Sequence, residues 1–183
     1  MLCDIRKCLA GLLLCALPCL AAAPGGWLDV PFVKQPRNGC GAASIAMVMQ
    51  YWQRQQGKAP GADSDAERIQ RALYSGKAHG IYASDLQRYF QQHGFSAFVV
   101  QGEWSDLERH LEKGRPLIVA LKPESGAGAL HYVVVVGLDG EGSLVLVNDP
   151  AQRKLLKQER SDFEREWKGT GNWTLLAIPR EGS

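Results

Sequence analysis

The chain has 183 residues, 45% apolar and 22% charged, with a formal net charge of +2. That length and balance suit one globular domain with one core. The near-neutral charge, without a basic stripe interleaved with aromatics, argues against nucleic acid as a partner.

Residues 1–23 read as a secretory signal peptide. Arg6 and Lys7 form a short basic region, Leu9 to Leu20 is apolar but broken by Pro18, and Ala21-Ala22-Ala23 is a small-residue cleavage region. Pro24 is a poor residue directly after a cut, so cleavage is expected one or two residues earlier. The apolar run falls short of the ~20 residues of a membrane span. The mature chain, residues 24–183, is therefore expected to lack a stable membrane span and to be exported, to the periplasm or outside the cell. Cys19 raises a lipid-anchored alternative and an uncleaved signal a membrane-anchored one. Pro18 argues against the first, because lipid attachment sites take Gly, Ala or Ser before the cysteine. Of the five cysteines, Cys3, Cys8, Cys15 and Cys19 leave with the signal and Cys40 alone stays. A single thiol cannot form an intramolecular disulfide or a cysteine-cluster zinc site, which marks Cys40 as a reactive residue.

In chain order, Pro24 to Trp27 is a linker and Leu28 to Val33 a short strand with Pro31 at an edge position. A helix is expected from Cys40 to Gln55, where Ile45, Met47, Val48, Met49, Tyr51 and Trp52 are too apolar for an exposed face. Gln56 to Asp63 is a loop, Asp65 to Tyr74 an amphipathic helix, and Ser75 to Tyr82 a glycine-punctuated loop. Capping boxes are expected at Ser84/Gln87, Ser105/Glu108 and Ser161/Glu164. The first two open helices that stop at Gly94 and Gly114; the third opens a short helix to Trp167. Strands are expected at Phe95–Val100, Pro116–Leu121, His131–Gly137, Ser143–Val147 and Trp173–Ile178. The loop Glu124 to Gly128 precedes His131, and Asp139-Gly140 turns the hairpin. Early helices and late antiparallel strands make the fold class α+β, with N-terminal helices packed on a C-terminal antiparallel sheet.

Cys40 opens its helix, where free N–H groups and the positive dipole end favour a thiolate. Alone, such a cysteine is more often a core residue. His131 at a strand mouth is alone an edge residue, and Asp149 before Pro150 a turn former. Together they match the needs of nucleophilic thiol chemistry. His131 lies nine residues before Gly140 and Asp149 nine after it, so a hairpin makes them cross-strand neighbours at the open end. Asp149 can then accept from one ring nitrogen of His131 and leave the other for Cys40. Asn148 or water would partly replace Asp149 as orienter. Gln35, five residues before Cys40, can place its amide beside the Cys40 N–H as an oxyanion hole. No histidine pair has i, i+4 metal-ligand spacing. No metal or cofactor is assigned, and His93 and His110 read as surface residues.

The stretches Q-P-R-N-G-C-G-A-A-S-I-A-M, H-Y-V-V-V-V-G, N-D-P-A and F-E-R-E-W-K-G resemble papain-like cysteine peptidases that process double-glycine leaders of bacteriocins, closest to their stand-alone relatives. The resemblance runs from Leu28 to about Pro179. It implies a papain-like fold with Cys40 as nucleophile, His131 as base, Asp149 as orienter and Gln35 as oxyanion donor. Transporter-linked members commonly carry Asp before the nucleophile, where this chain has Asn38-Gly39, and their gap from Gln to Cys is one residue longer. They are also cytosolic domains of transporters, whereas this chain reads as exported alone. Gly25-Gly26 looks like a double-glycine site, with a plain linker as the alternative. The expectation is an exported thiol peptidase with a peptide or protein substrate and an export system as an associated partner. The alternatives are a cell-wall-cleaving or acyl-transferring enzyme with the same residues, and an inactive peptide-binding module of an export system.

Overall fold

Helix α1 spans Cys40–Gln55, the range expected, and every residue from Gly41 to Met49 is buried. Alanine and methionine favour the helix intrinsically, and burial of Ile45, Met47, Val48 and Met49 supplies most of its stability, about 1.5–3 kcal/mol per large side chain. Gly57, at φ +69°, lets the chain turn away just past its end. The computed structural model describes residues 26–123 and 130–180. The expected signal peptide and the loop Glu124 to Gly128 therefore lie outside the described residues.

Helices α2 (Ala66–Leu73) and α3 (Ala83–Gln92) follow, after one 3-10 turn at Ala62–Ser64 where a plain loop was expected. Next come β1 (Phe95–Gln101), α4 (Trp104–Glu112), β2 (Leu117–Leu121), β3 (His131–Leu138), β4 (Leu144–Asn148), β5 (Leu156–Glu159), α5 (Arg160–Lys168) and β6 (Trp173–Pro179). The strands form one antiparallel sheet in the order β1-β6-β2-β3-β4-β5, giving the α+β class. Strand β6 returns to lie between β1 and β2. Helix α1 packs on the face that carries the Tyr132 side chain. There Gly41 permits close approach, since a Cβ would stand 3.3 Å from Ile81 and 3.5 Å from the Tyr132 ring. Glu166 of α5 lies on the other face, with His131 and Val133.

The structure corrects four local readings. Leu28 to Val33 is not a strand. The segment makes only an isolated bridge, Trp27 with Gly137, and runs as an irregular strap. Strand β3 is paired on both sides, and only its bulge between Val135 and Gly137 frees a carbonyl, Val136 O, for the Leu28 N–H at 2.7 Å. The strap is held instead by the Asp29–Lys154 ion pair, by Asn148 Nδ2 donating to Val30 O, and by the Gln35 N–H donating to Pro150 O at 3.0 Å.

The three serine capping boxes are absent. Helix α3 begins one residue before Ser84, and Gln87 donates to Ala97 O on β1 at 3.1 Å. The box of α4 is Glu103 with Asp106, while Glu108 accepts from the Trp104 indole. In α5, Glu164 accepts from Arg160 at 2.9 Å rather than serving Ser161. In each case the serine is the second residue of the helix and not its cap, and the distal partner bonds elsewhere. Strand β5 lies where the sequence suggested no element. It pairs with the outer edge of β4 although Leu-Lys-Gln-Glu has weak strand propensity.

Candidate active site

A tight turn delivers Cys40 to the start of α1. The Gly39 N–H donates to Pro36 O at 2.9 Å, and Asn38 sits at φ +54°, a conformation Asn tolerates better than most residues. A Cβ on Gly39 would stand 2.6–2.9 Å from Pro36 atoms, so the turn requires glycine there. Strand β4 ends opposite Val134, so β3 ahead of that point lacks a β4 partner. The first turn of α1 takes the vacated edge, with Ser44 Oγ donating to Tyr132 O at 3.3 Å. The sulfur of Cys40 receives the backbone N–H groups of Tyr132 and Gly41 and a hydrogen bond with His131.

His131 and Asp149 meet, but not in the register expected. The hairpin turns later than Gly140: Leu138 pairs with Val145, a register that would set Asp149 level with Val134, and the one-residue bulge in β3 then makes the last pair Val134 with Asn148. Continuing that register sets Asp149 level with Val133, two residues from His131 on the same face. The contact is therefore diagonal: His131 Nε2 donates to Asp149 Oδ1 at 2.8 Å. Nδ1 is the nitrogen left for the thiol. Asp149 is only 3% exposed. Its carboxylate also accepts from the Ala151 N–H at 2.8 Å and from Gln152 Nε2 at 2.6 Å.

The electrostatics follow from these contacts. Burial pulls the His131 imidazolium pKa down, but hydrogen bonds with Asp149 and Cys40 and their negative charges push it up to about 9. Burial pushes the Cys40 thiol up; the His131 hydrogen bond, the Tyr132 N–H, the His131 charge and the Gly41 N–H outweigh it and hold the thiol below its ordinary value. For Asp149, burial raises and the His131, Ala151 and Gln152 donors lower, with a net downward shift. All three directions favour a proton on the imidazole between two anions.

Gln35 is tied to this end of the molecule by its main chain, one residue beyond Asp149. Its side-chain Oε1 is buried without a hydrogen-bond partner. Asn148 cannot act as a substitute orienter. It is fully buried on the opposite side of the strand, and its amide bridges Val30 O at 3.2 Å and the Leu155 N–H at 3.0 Å. Gln152 escaped the sequence reading, because a glutamine three residues after a turn aspartate carries no pattern of its own. A cleft of about 500 Å³ opens beside His131, Asp149 and Gln152, floored by Leu121, Val133 and Val147.

The spare histidines are partly buried rather than plain surface residues. His93 stacks on Tyr89 at 4.0 Å, with its Nδ1 2.7 Å from Tyr89 O, and His110 keeps a buried Nδ1 without a partner. Among the described residues no cluster of three or more His, Cys, Asp or Glu side chains could hold a metal ion. No helix among them is long and apolar enough to cross a membrane. Gly25 lies outside the described residues. Trp27 is fixed to Gly137, six residues along β3 from His131, roughly 20 Å at ~3.3 Å per residue. The folded chain therefore holds its own Gly26–Trp27 bond away from Cys40.

Comparison with known proteins now adds to this geometry. No curated protein matches the chain. Among solved structures, it is similar to a double-glycine motif protease from an AMS/PCAT transporter in complex with the leader peptide. The identity is 25%, the TM-score 0.62, and 84% of this chain and 94% of that one are covered. It is also similar to the peptidase domain of Streptococcus ComA, a bifunctional ABC transporter involved in a quorum-sensing pathway. There the identity is 20% and the TM-score 0.64, over 83% of this chain and all of that one. The model of the Peptidase_C39 like family matches residues 27–175. The chain belongs to that family, and it is a cysteine peptidase of papain-like fold.

Proposed function

We propose that the chain is an exported thiol peptidase in which Cys40, His131, Asp149 and Gln35 carry the reaction. The observation that supports this best is the continuous contact from Cys40 through His131 to buried Asp149, with His131 pushed up to about 9. The Cys40 thiolate attacks the carbonyl carbon of the scissile peptide bond. The Cys40 N–H and the Gln35 amide donate to the oxygen that becomes negative. The His131 imidazolium gives a proton to the departing amine, leaving a thioester on Cys40 and a neutral imidazole. Water then adds to the thioester as His131 takes its proton, and collapse returns the thiolate and releases the acid. Asp149 keeps Nε2 protonated throughout, so that Nδ1 is always the working nitrogen.

The substrate is a peptide or protein segment met during or after export, with residues 1–23 serving as the export signal. The related transporter protease was solved with its leader peptide bound, and a peptide lying across this cleft is the same class of ligand. Fold and chemistry carry over better than double-glycine specificity, because Asn38-Gly39 stands where transporter-linked members commonly carry Asp before the nucleophile. The test is a comparison of exported peptides from cells carrying the wild-type chain or Cys40→Ala. Longer precursors should accumulate in the variant. Identical peptide profiles, together with release of peptidoglycan fragments by the wild-type protein only, would replace the peptidase reading with a cell-wall hydrolase.

A further inference from the structure

We propose that Gln152 is a positioning residue that acts through Asp149. It pins one carboxylate oxygen so that the other faces His131, and this rests on the reading of His131 as the base. The geometry is specific. The chain turns at Asp149 and Pro150, with the Gln152 N–H donating to Asp149 O at 3.0 Å, and this folds Gln152 back over its own anchor. Its Nε2 then donates to Oδ2 at 2.6 Å, while Oδ1 serves both His131 and the Ala151 N–H at 2.8 Å each.

A carboxylate with one oxygen unheld can rotate about its terminal torsion, which is broad and intrinsically undirected. The Ala151 N–H holds only the oxygen that His131 also uses, so among the described residues Gln152 alone fixes the second. Gln152 is itself exposed and lines the cleft, whereas Asp149 is 3% exposed. The amide is therefore also the cover that keeps cleft water off Oδ2, and unscreened charge acts more strongly on a close partner. The charged and titratable groups facing this corner are His131 on β3, Cys40 on α1, Lys157 on β5 and Glu166 on α5.

Two variants of the full chain separate positioning from mere packing. Gln152→Ala removes the donor. Gln152→Glu restores it only when its own carboxyl is protonated, because Glu–COOH donates and Glu–COO⁻ repels Asp149. The first readout is the Nε2–H proton of His131 by NMR, which reports the pinned contact directly. The second is the rate of Cys40 alkylation by iodoacetamide against pH, measured at the Cys40 peptide by mass spectrometry so that the other cysteines do not interfere. In Gln152→Ala, solvent exchange of the Nε2 proton should quicken on the order of tenfold, the worth of one charge-assisted hydrogen bond. The pH midpoint of Cys40 alkylation should rise. Nε2 exchange in Gln152→Glu should match wild type at acidic pH and be at least as fast as in Gln152→Ala above the pKa of the new carboxyl, while Gln152→Ala melts close to wild type. The proposal is overturned if Nε2 exchange and the alkylation midpoint stay at wild-type values in Gln152→Ala. It is equally overturned if Gln152→Glu tracks Gln152→Ala at every pH. Loss of the alkylation profile's dependence on His131 itself would instead refute the parent reading, and His131→Gln run alongside identifies that case.

Discussion

Replacing Asp149 with asparagine is the sharpest test of how the site holds its charge. The change keeps size and shape but removes the negative charge beside His131. It also puts an NH2 group, with two N–H donors, in place of one of the two oxygens that accepted three donors, from His131, Ala151 and Gln152. His131 stands at about 9 against an ordinary 6.5, which corresponds to roughly 3 kcal/mol of preference for the imidazolium. Cys40 supplies part of that, so Asp149→Asn should forfeit a share of it, on the order of half or more. Burial, which opposes the imidazolium, then regains influence. The thiolate loses its counter-ion in the same proportion. The assay is Cys40 alkylation against pH. Wild type should show a midpoint below 9.0, the ordinary thiol value, and Asp149→Asn should move it upward by one unit or more. Neighbouring Asn148 offers no rescue, since both ends of its amide are held by Val30 and Leu155. A variant with a wild-type midpoint and an unchanged melting temperature would refute the reasoning, because Asp149 would then be irrelevant to the charge on His131.

Further outcomes follow from the same geometry. Gln35→Ala should lower peptide turnover on the order of 10²–10³-fold, as for loss of one oxyanion donor, without lowering the melting temperature, because its buried Oε1 has no partner to lose. Gly39→Ala should destabilise by about 1–3 kcal/mol and slow Cys40 alkylation, because its Cβ overlaps Pro36 in the turn that sets the thiol; a wild-type melt would show that the turn can relax. His131 has a raised folded-state pKa, so its stabilisation is complete below the unfolded value near 6.5 and lost as pH rises through about 9. The melting difference between wild type and His131→Gln should therefore shrink across that window, and a difference independent of pH would contradict the ion pair.

Much of this was legible because it is local. The small residues from Gly41 to Ser44 ahead of a dense apolar run define both the span of α1 and the accessible thiol at its head. The valines from Val133 to Val136 and the Asp139-Gly140 turn define a hairpin whose open end must carry His131 and Asp149. What stayed hidden depends on tertiary competition. The turn falls beyond Gly140, between Leu138 and Val145, and the bulge in β3 then returns Asp149 to the face of His131 as a diagonal neighbour; no propensity announces either. Strand β5 exists because β4 offers an open edge, not because Leu156–Glu159 favours extension. The serine boxes failed where Gln87, Glu108 and Glu164 met nearer partners. Asn148 was expected to help orient His131, and Gln152 carried no expectation. One proved a structural bridge on the far side of the strand and the other a donor to Asp149, a difference set by strand alternation and by the fold of the turn. Because Asp149 is buried, its loss should cost stability, unlike that of a residue in an open cleft.

The most direct test of Cys40 as the nucleophile is capture of the covalent intermediate. The full chain is mixed with peptides drawn from the exported set that accumulates in Cys40→Ala cells, quenched in acid within the first turnover, and analysed by mass spectrometry. The account predicts a thioester at Cys40 whose added mass equals the N-terminal cleavage fragment less one water, absent in Cys40→Ala and scarce in His131→Ala. Cleavage of the same peptides with no adduct at Cys40, undiminished in Cys40→Ala, would contradict it.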